Sequence, residues 1–258
     1  MKQGIIIVNK GTMDKEVRRR CIEDFMFSVG DRIPDADMVC VYTDDGIRKR
    51  LREETGEKYQ NLKAAILSMK DRGVTDLIVV PTEIHDGPEF KKMKEEVTGL
   101  ASIFKTVNIS NPLLYDEADY EITARAMHGA FKETVKDDIL VLITAGHKTD
   151  AVEELKAFET HLAKYFNECY VATLYGERKL YKIIKDINVA NASSRRIVFI
   201  PMEFIAGETV ENDVSQEYTS LVLRLEEEGY AVDSIFKGLA EYDDFQRLYM
   251  RHLYDALR

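Results

Sequence analysis

The sequence predicts an α/β protein of two similar lobes, each a parallel sheet flanked by helices, with a cleft between them. Three observations carry this. Short continuous apolar runs alternate with stretches whose apolar residues fall on one helical face. Each apolar run is closed by glycine, proline or polar residues, as in strands buried on both faces. The order of these signals then begins again half-way along the chain.

The first strand is residues 4–9 (GIIIVN), stopped by Lys10-Gly11-Thr12. A helix follows, with Val17, Cys21, Phe25 and Val29 recurring four residues apart. Residues 38–42 (MVCVY) read as a second strand. Leu62, Ala65, Ile66 and Met69 mark the next helix, closed by Gly73. Residues 76–80 (DLIVV) form a third strand ended by Pro81. A helix over 89–100, a strand around 106–109 and a helix over 118–132 complete the first lobe.

The second lobe repeats this order. Residues 139–144 (ILVLIT) are followed by Ala145-Gly146-His147, which echoes Lys10-Gly11-Thr12. Val152, Leu155, Phe158 and Leu162 line a helix, and 170–174 (YVATL) parallels MVCVY. RIVFI then Pro201-Met202-Glu203 parallels DLIVV then Pro81-Thr82-Glu83, and a glycine follows each proline by the same distance, at Gly87 and Gly207. The helix carrying Leu221, Val222 and Leu225 ends at Gly229. The segment from Leu239 to Phe245 echoes that from Leu114 to Tyr120. The period, roughly 120–135 residues, is domain-sized and not that of a solenoid. The predicted lobes are 1–136 and 137–258, with the C-terminal helix returning to pack on the first.

Composition narrows the function. The chain has 258 residues, 45% hydrophobic, enough for one large core or two small ones. A formal net charge of −10 argues against nucleic acid as partner, because phosphate binding needs a basic face. The N-terminal apolar run is shorter than the roughly 7–15 residues of a signal-peptide core or the about 20 of a membrane span. Cys21, Cys40 and Cys169 form no CxxC pair, as expected of reduced thiols. The expectation is a cytoplasmic protein without membrane attachment, and homo-oligomerisation is left open.

In parallel α/β sheets ligands bind beyond the carboxyl ends of the strands. Cations gather there in this acidic chain: Lys10, Arg48, Lys148 and Arg178. Beside helix N-termini they suit an anionic small molecule, although each taken singly also fits a solvated loop charge. His147, His85, Glu83, Glu177 and Glu203 lie in the same loops and have the chemistry of divalent-metal ligands. His128, His161 and His252 fall within helical patterns and read as packing residues. There is no Walker A sequence, no GxGxxG and no GxSxG, so P-loop, dinucleotide and hydrolase-elbow chemistries lack their motifs.

The stretches IIIVNKGT, VYTDDGIRKRL, VVPTEIHDGPEF, LITAGH, FIPMEFIAGETVENDV and DDFQRLYMRHLYDAL, taken together, make the chain resemble the anaerobic sirohydrochlorin cobaltochelatases, the CbiK type of class II chelatase. The likeness runs nearly end to end. It implies a chelatase-like two-lobed fold and a tetrapyrrole substrate carrying carboxylates. It also implies a divalent metal as second substrate, Co²⁺ foremost, and no organic cofactor. His147 would be the metal ligand and would help remove pyrrole protons. The family's glutamate ligand falls on Tyr175, with Glu177 two residues on as the replacement carboxylate. The family's second histidine falls on Thr209, and its aromatic residue before Gly-Thr falls on Lys10. Substrate contacts would come from Lys10, Thr12, Arg48, Glu83, His85, Lys148, Arg178, Glu203 and Thr209.

Two functions follow from these residues. One is an enzyme that inserts Co²⁺ into sirohydrochlorin in anaerobic cobalamin biosynthesis. The other is a tetrapyrrole- or polycarboxylate-binding descendant that has lost the metal triad. A two-lobed solute receptor is a third, disfavoured by the lack of a signal sequence.

Overall fold

The structure, a computed structural model, describes residues 2–144, 152–174, 178–180, 182–183, 187, 195–206, 222–223, 225–227 and 229–258. In one unit, β1 (Gln3–Asn9), β2 (Asp37–Tyr42), β3 (Asp76–Pro81) and β4 (Thr106–Ile109) form a sheet in the order β2-β1-β3-β4. In the other, β5 (Ile139–Thr144), β6 (Cys169–Thr173), β7 (Arg196–Pro201) and β8 (Ala231–Ser234) form a sheet in the order β6-β5-β7-β8. Every strand pair is parallel.

The two sheets share more than their order. Past the end of the first strand, Thr43 N donates to Asn9 O (2.8 Å) and Leu174 N to Thr144 O (3.0 Å). Past the third, Thr82 N donates to Val8 O (3.0 Å) and Met202 N to Ile143 O (2.7 Å). Leu113 N donates to Glu83 O (3.1 Å), as Leu239 N does to Glu203 O (2.8 Å). The backbone thus matches Leu239 with Leu113, one residue from the Leu114 that side-chain likeness suggests. The repeat is of backbone geometry as well as of sequence.

Both residue parities of the central strands are buried. In β1, Ile6 and Val8 join one cluster with Leu62, Ile66, Met69 and Phe90, while Ile5 and Ile7 are equally inaccessible. In β5, Ile139, Val141 and Ile143 pack with Ala172, Ile197 and Phe199, and Leu140 and Leu142 are buried too. This is why the strands read as unbroken apolar runs rather than alternating ones. Pro81 and Pro201 can end their strands because the final position need not donate to the ladder.

The helix after β1 is not uniform. Lys15–Val17 and Asp24–Arg32 are α-helical, and Arg18–Glu23 between them has π-type hydrogen bonding. An apolar stripe at strict four-residue spacing drifts off one face of an α-helix, which has about 3.6 residues per turn. The wider turns return Val17, Cys21, Phe25 and Val29 to the core, where all four are buried. Asp14, Asp44, Asn61 and Asp116 cap their helices by accepting backbone N–H groups at the first turn.

The chain divides at 115/116 rather than 136/137. The first unit is Met1–Tyr115 with Gln246–Arg258, the second Asp116–Phe245. The reason is the helix Glu117–Val135, whose Glu121 accepts hydrogen bonds from Lys164 and Tyr165, both at 2.6 Å. Its Tyr120 also meets Phe158, with ring centroids 6.3 Å apart. The residues of the helix Asp243–Ala256 from Gln246 on belong to the first unit: Tyr249 Oη donates to Thr82 O (3.1 Å), and Asn108 Nδ2 to Ala256 O (2.7 Å).

Strand β8 is absent from the sequence reading. Its AVDS segment is short, at the sheet edge and only part-buried, so it lacks the apolar run that marks the inner strands. Among the described residues no helix is long and apolar enough to cross a membrane.

Candidate functional site

In each sheet the first and third strands are neighbours, while the connections leaving them run to opposite sides of the pair. That is a topological switch point, where open parallel sheets leave a crevice past the strand ends. The two switch points are β1/β3 and β5/β7.

At β5/β7, Thr144 Oγ1 donates to Glu203 Oε1 at 2.8 Å. Thr144 is 3% exposed and Glu203 is half-buried, so the carboxylate is held from its buried side. The Glu203 backbone is fixed by Leu239 N, and Gly238 lets the next turn close: a Cβ there would lie 2.5 Å from Phe204 O. Beside Thr144 in register stands Thr173, at the end of β6, also buried. The β5 strand end leads in sequence into Ala145-Gly146-His147.

At β1/β3 the bond across the seam joins two neutral side chains, beside Glu83, the match of Glu203. Asn9 Nδ2 donates to Thr82 Oγ1 (2.8 Å), and Asn9 Oδ1 accepts from Gly11 N (2.8 Å). Gly11 has φ +96°, and a Cβ would lie 2.7 Å from the Tyr42 ring, so only glycine makes this turn without strain. Tyr42 stacks on Tyr59 at 4.0 Å, and the Arg18 guanidinium lies 5.8 Å over the Tyr59 ring. Burial holds the Tyr42 phenol well above its ordinary range.

Lys10 is exposed at the end of β1, available to a soluble anion. Thr12 is buried, and its hydroxyl accepts from Asp14 N (3.1 Å) at the start of the following helix. Glu83 is half-buried, with its carbonyl taken by Leu113; His85 bridges to Leu114, its ring packed where a Gly87 side chain would be. Lys10, Thr12, Glu83 and His85 therefore share the strand-end face of the first sheet. The two arginines are tied locally. Arg48 donates to the Tyr42 carbonyl and to Asp45, and Arg178 to Val171 O (2.8 Å) and Glu159. Their guanidinium groups are held by residues of the neighbouring strands and helices. His147, Lys148, Tyr175, Glu177 and Thr209 lie outside the described residues. Among the described residues, no three His, Cys, Asp or Glu side chains are gathered as a metal site would require.

Sequence reading missed four residues of these seams. Asn9, Thr82 and Thr144 were hidden inside strand signals, although a polar residue closing an apolar run at a strand's carboxyl end is itself a cue. Arg18 stands first in a run of three arginines, a pattern that gives no sign of burial. It is 4% exposed, pairs with Glu57 at 3.0 Å, and has its Nη1 buried without a hydrogen-bond partner among the described residues.

A family model described as Cobalt chelatase (CbiK) matches residues 3–258. The chain belongs to the CbiK cobalt chelatase family. Among curated proteins, this CbiK-family chain is 20% identical over 258 residues to the sirohydrochlorin cobaltochelatase of Salmonella typhimurium, covering 100% of this chain and 97% of the relative. It is 22% identical over 260 residues to the sirohydrochlorin cobaltochelatase CbiKC of Nitratidesulfovibrio vulgaris, covering 99% and 91%. Among solved structures, SirB from Bacillus subtilis with Fe³⁺ superposes with a TM-score of 0.70 at 15% identity, covering 99% of this chain and 96% of that one. SirB of the subspecies spizizenii, a sirohydrochlorin chelatase in complex with cobalt, gives 0.66 at 14% identity, covering 99% and 95%. The chelatase-like α/β fold read from the sequence is the observed one.

Proposed function

We propose that this CbiK-family chain inserts a divalent metal, Co²⁺ foremost, into sirohydrochlorin or a closely related tetrapyrrole, on a route to cobalamin. The supporting observation is the family match over residues 3–258, with two curated relatives of nearly equal length both named sirohydrochlorin cobaltochelatase. Metal and macrocycle are both substrates. Insertion requires side chains that take up the cation and a base for the two displaced pyrrole protons.

In this reading His147 receives the metal and Glu177 is its carboxylate partner. Lys10 and Lys148 attract the macrocycle's carboxylates. Thr12, Glu83, His85, Glu203 and Thr209 contact the ring or its side chains. Arg48 and Arg178 add positive charge for the macrocycle's carboxylates from the strand ends. The cytoplasm is the proposed compartment. That Tyr175 and Thr209 stand where the family has metal ligands leaves a metal-free binding protein as the outcome to be separated from it.

The test is anaerobic mixing of protein, metal-free sirohydrochlorin and Co²⁺, Fe²⁺ or Ni²⁺, followed by the macrocycle's absorbance. Catalysed insertion that His147→Ala abolishes supports the proposal. Macrocycle binding with no rate above the uncatalysed background for any of the three ions refutes it in favour of the binding protein.

A further inference from the structure

We infer that Glu203 is the proton acceptor of metal insertion, a catalytic carboxylate that Thr144 aims from the end of β5. The inference rests on the chelatase reading above and assigns the base within it.

Insertion exchanges one divalent cation for two pyrrole protons. For each proton an N–H bond breaks, its electron pair stays on nitrogen and becomes a nitrogen–metal bond, and the proton forms an O–H bond with a carboxylate oxygen before passing to water. Nothing is oxidised or reduced. The base must be a carboxylate or imidazole fixed within hydrogen-bond reach of the ring nitrogens.

Glu203 has the required placement. It stands at the second unit's switch point, on the strand-end face where open parallel sheets bind ligands. One carboxylate oxygen accepts from Thr144 Oγ1 at 2.8 Å, which fixes its rotamer, and Leu239 N fixes its main chain. The side chain is half-buried rather than sealed in the core. In the first unit the matched strand end is Asn9, which donates to Thr82; neither the amide nor the hydroxyl takes up a proton near neutral pH. At the first switch point Glu83 is the match of Glu203, and Asn9, an amide, stands where the second unit has the Thr144 hydroxyl. Thr144 is a positioning residue, since it acts through Glu203.

The test is initial rates of Co²⁺ insertion into sirohydrochlorin for wild type, Glu203→Gln, Glu203→Ala with and without formate, and Thr144→Val. The expected result is a kcat about 100-fold lower in Glu203→Gln, with KM for the macrocycle nearly unchanged. Glu203→Ala is equally slow, and formate restores a large part of its rate while leaving wild type unaffected. Thr144→Val loses less than Glu203→Gln. Wild-type kcat in Glu203→Gln overturns the inference, and so does a slow Glu203→Ala that formate does not accelerate, which would make the carboxylate a scaffold. Should Glu203→Ala fail to fold, the kcat-against-KM split of the nearly isosteric Glu203→Gln decides. Insertion by wild type alongside an unimpaired Glu203→Gln overturns this inference alone. A wild type that inserts no metal overturns it together with the chelatase reading.

Discussion

Thr144 and Glu203 meet at 2.8 Å across the β5/β7 seam, where the duplicated first unit joins Asn9 to Thr82 at the same distance. The bond across the second seam ends on a carboxylate, and the one across the first joins two neutral groups beside Glu83, the match of Glu203. The neutral one is the more buried, with Asn9 2% and Thr82 6% exposed. Asn9→Leu leaves Gly11 N and the Thr82 hydroxyl without their partner, so it is expected to cost about 2–4 kcal/mol in urea denaturation. A loss below about 0.5 kcal/mol would show that the pair does not hold the first seam.

Gly11 and Gly56 both have positive φ, +96° and +78°, but different surroundings. An alanine Cβ at Gly11 strikes the Tyr42 ring, whereas at Gly56 nothing lies within 4 Å. Gly56→Ala is expected to cost about 1 kcal/mol from backbone strain alone, and Gly11→Ala at least about 2 kcal/mol. Equal losses in parallel denaturation curves would contradict the packing described for the Lys10-Gly11-Thr12 turn.

Lys10 and Arg48 are both strand-end cations but are bound differently. Lys10→Met is expected to weaken sirohydrochlorin binding several-fold, more at low salt, with the melting temperature unchanged. Arg48→Met removes the donor to the Tyr42 carbonyl and is expected to lower stability by about 1 kcal/mol. Fluorescence quenching and thermal melts on the two variants separate a ligand contact from a loop brace.

Glu121 titrates low, at about 2 against an ordinary 4.5, because Lys164 first, then Tyr165 and His161, hydrogen-bond its ionised form. A depressed carboxylate stabilises the fold above its ordinary value, and the contribution fades as pH falls toward the folded-state value. Wild type should therefore lose its advantage over Glu121→Gln between about pH 4.5 and about pH 2. Urea midpoints of the two proteins across that window test this. A gap that does not narrow with falling pH refutes the bonding of Glu121 to Lys164, Tyr165 and His161.

Cys21, Cys40 and Cys169 are all buried, and burial pushes the thiols of Cys40 and Cys169 up to about 12. The thiolate is the reactive form. The folded protein is expected to resist a maleimide reagent at neutral pH, with all three thiols reacting only in denaturant. Rapid labelling of the native protein would contradict the burial of these strands and of the helix carrying Cys21.

The inner strands, their succession along the chain and the duplication are legible in the sequence because strands buried on both faces need unbroken apolar runs, as GIIIVN and ILVLIT have. Strand β8 escapes because an edge strand needs no such run. The π-type turn escapes because four-residue spacing in Val17, Cys21, Phe25 and Val29 looks like ordinary helical recurrence until its drift is counted. At the strand ends, charge identifies where Arg48 and Arg178 sit but not what they bind, since local carbonyls and carboxylates compete for a guanidinium. Asn9, Thr144 and Arg18 owe their importance to partners 73, 59 and 39 residues away, a relation that one-dimensional pattern does not carry.

The chelatase reading is tested most directly by one rate: Co²⁺ insertion into sirohydrochlorin by the wild-type chain, measured anaerobically against the same mixture without protein. A chelatase gives a protein-dependent rate that saturates with macrocycle and falls to background in His147→Ala. A wild-type rate equal to the uncatalysed one, with the macrocycle bound, would contradict it.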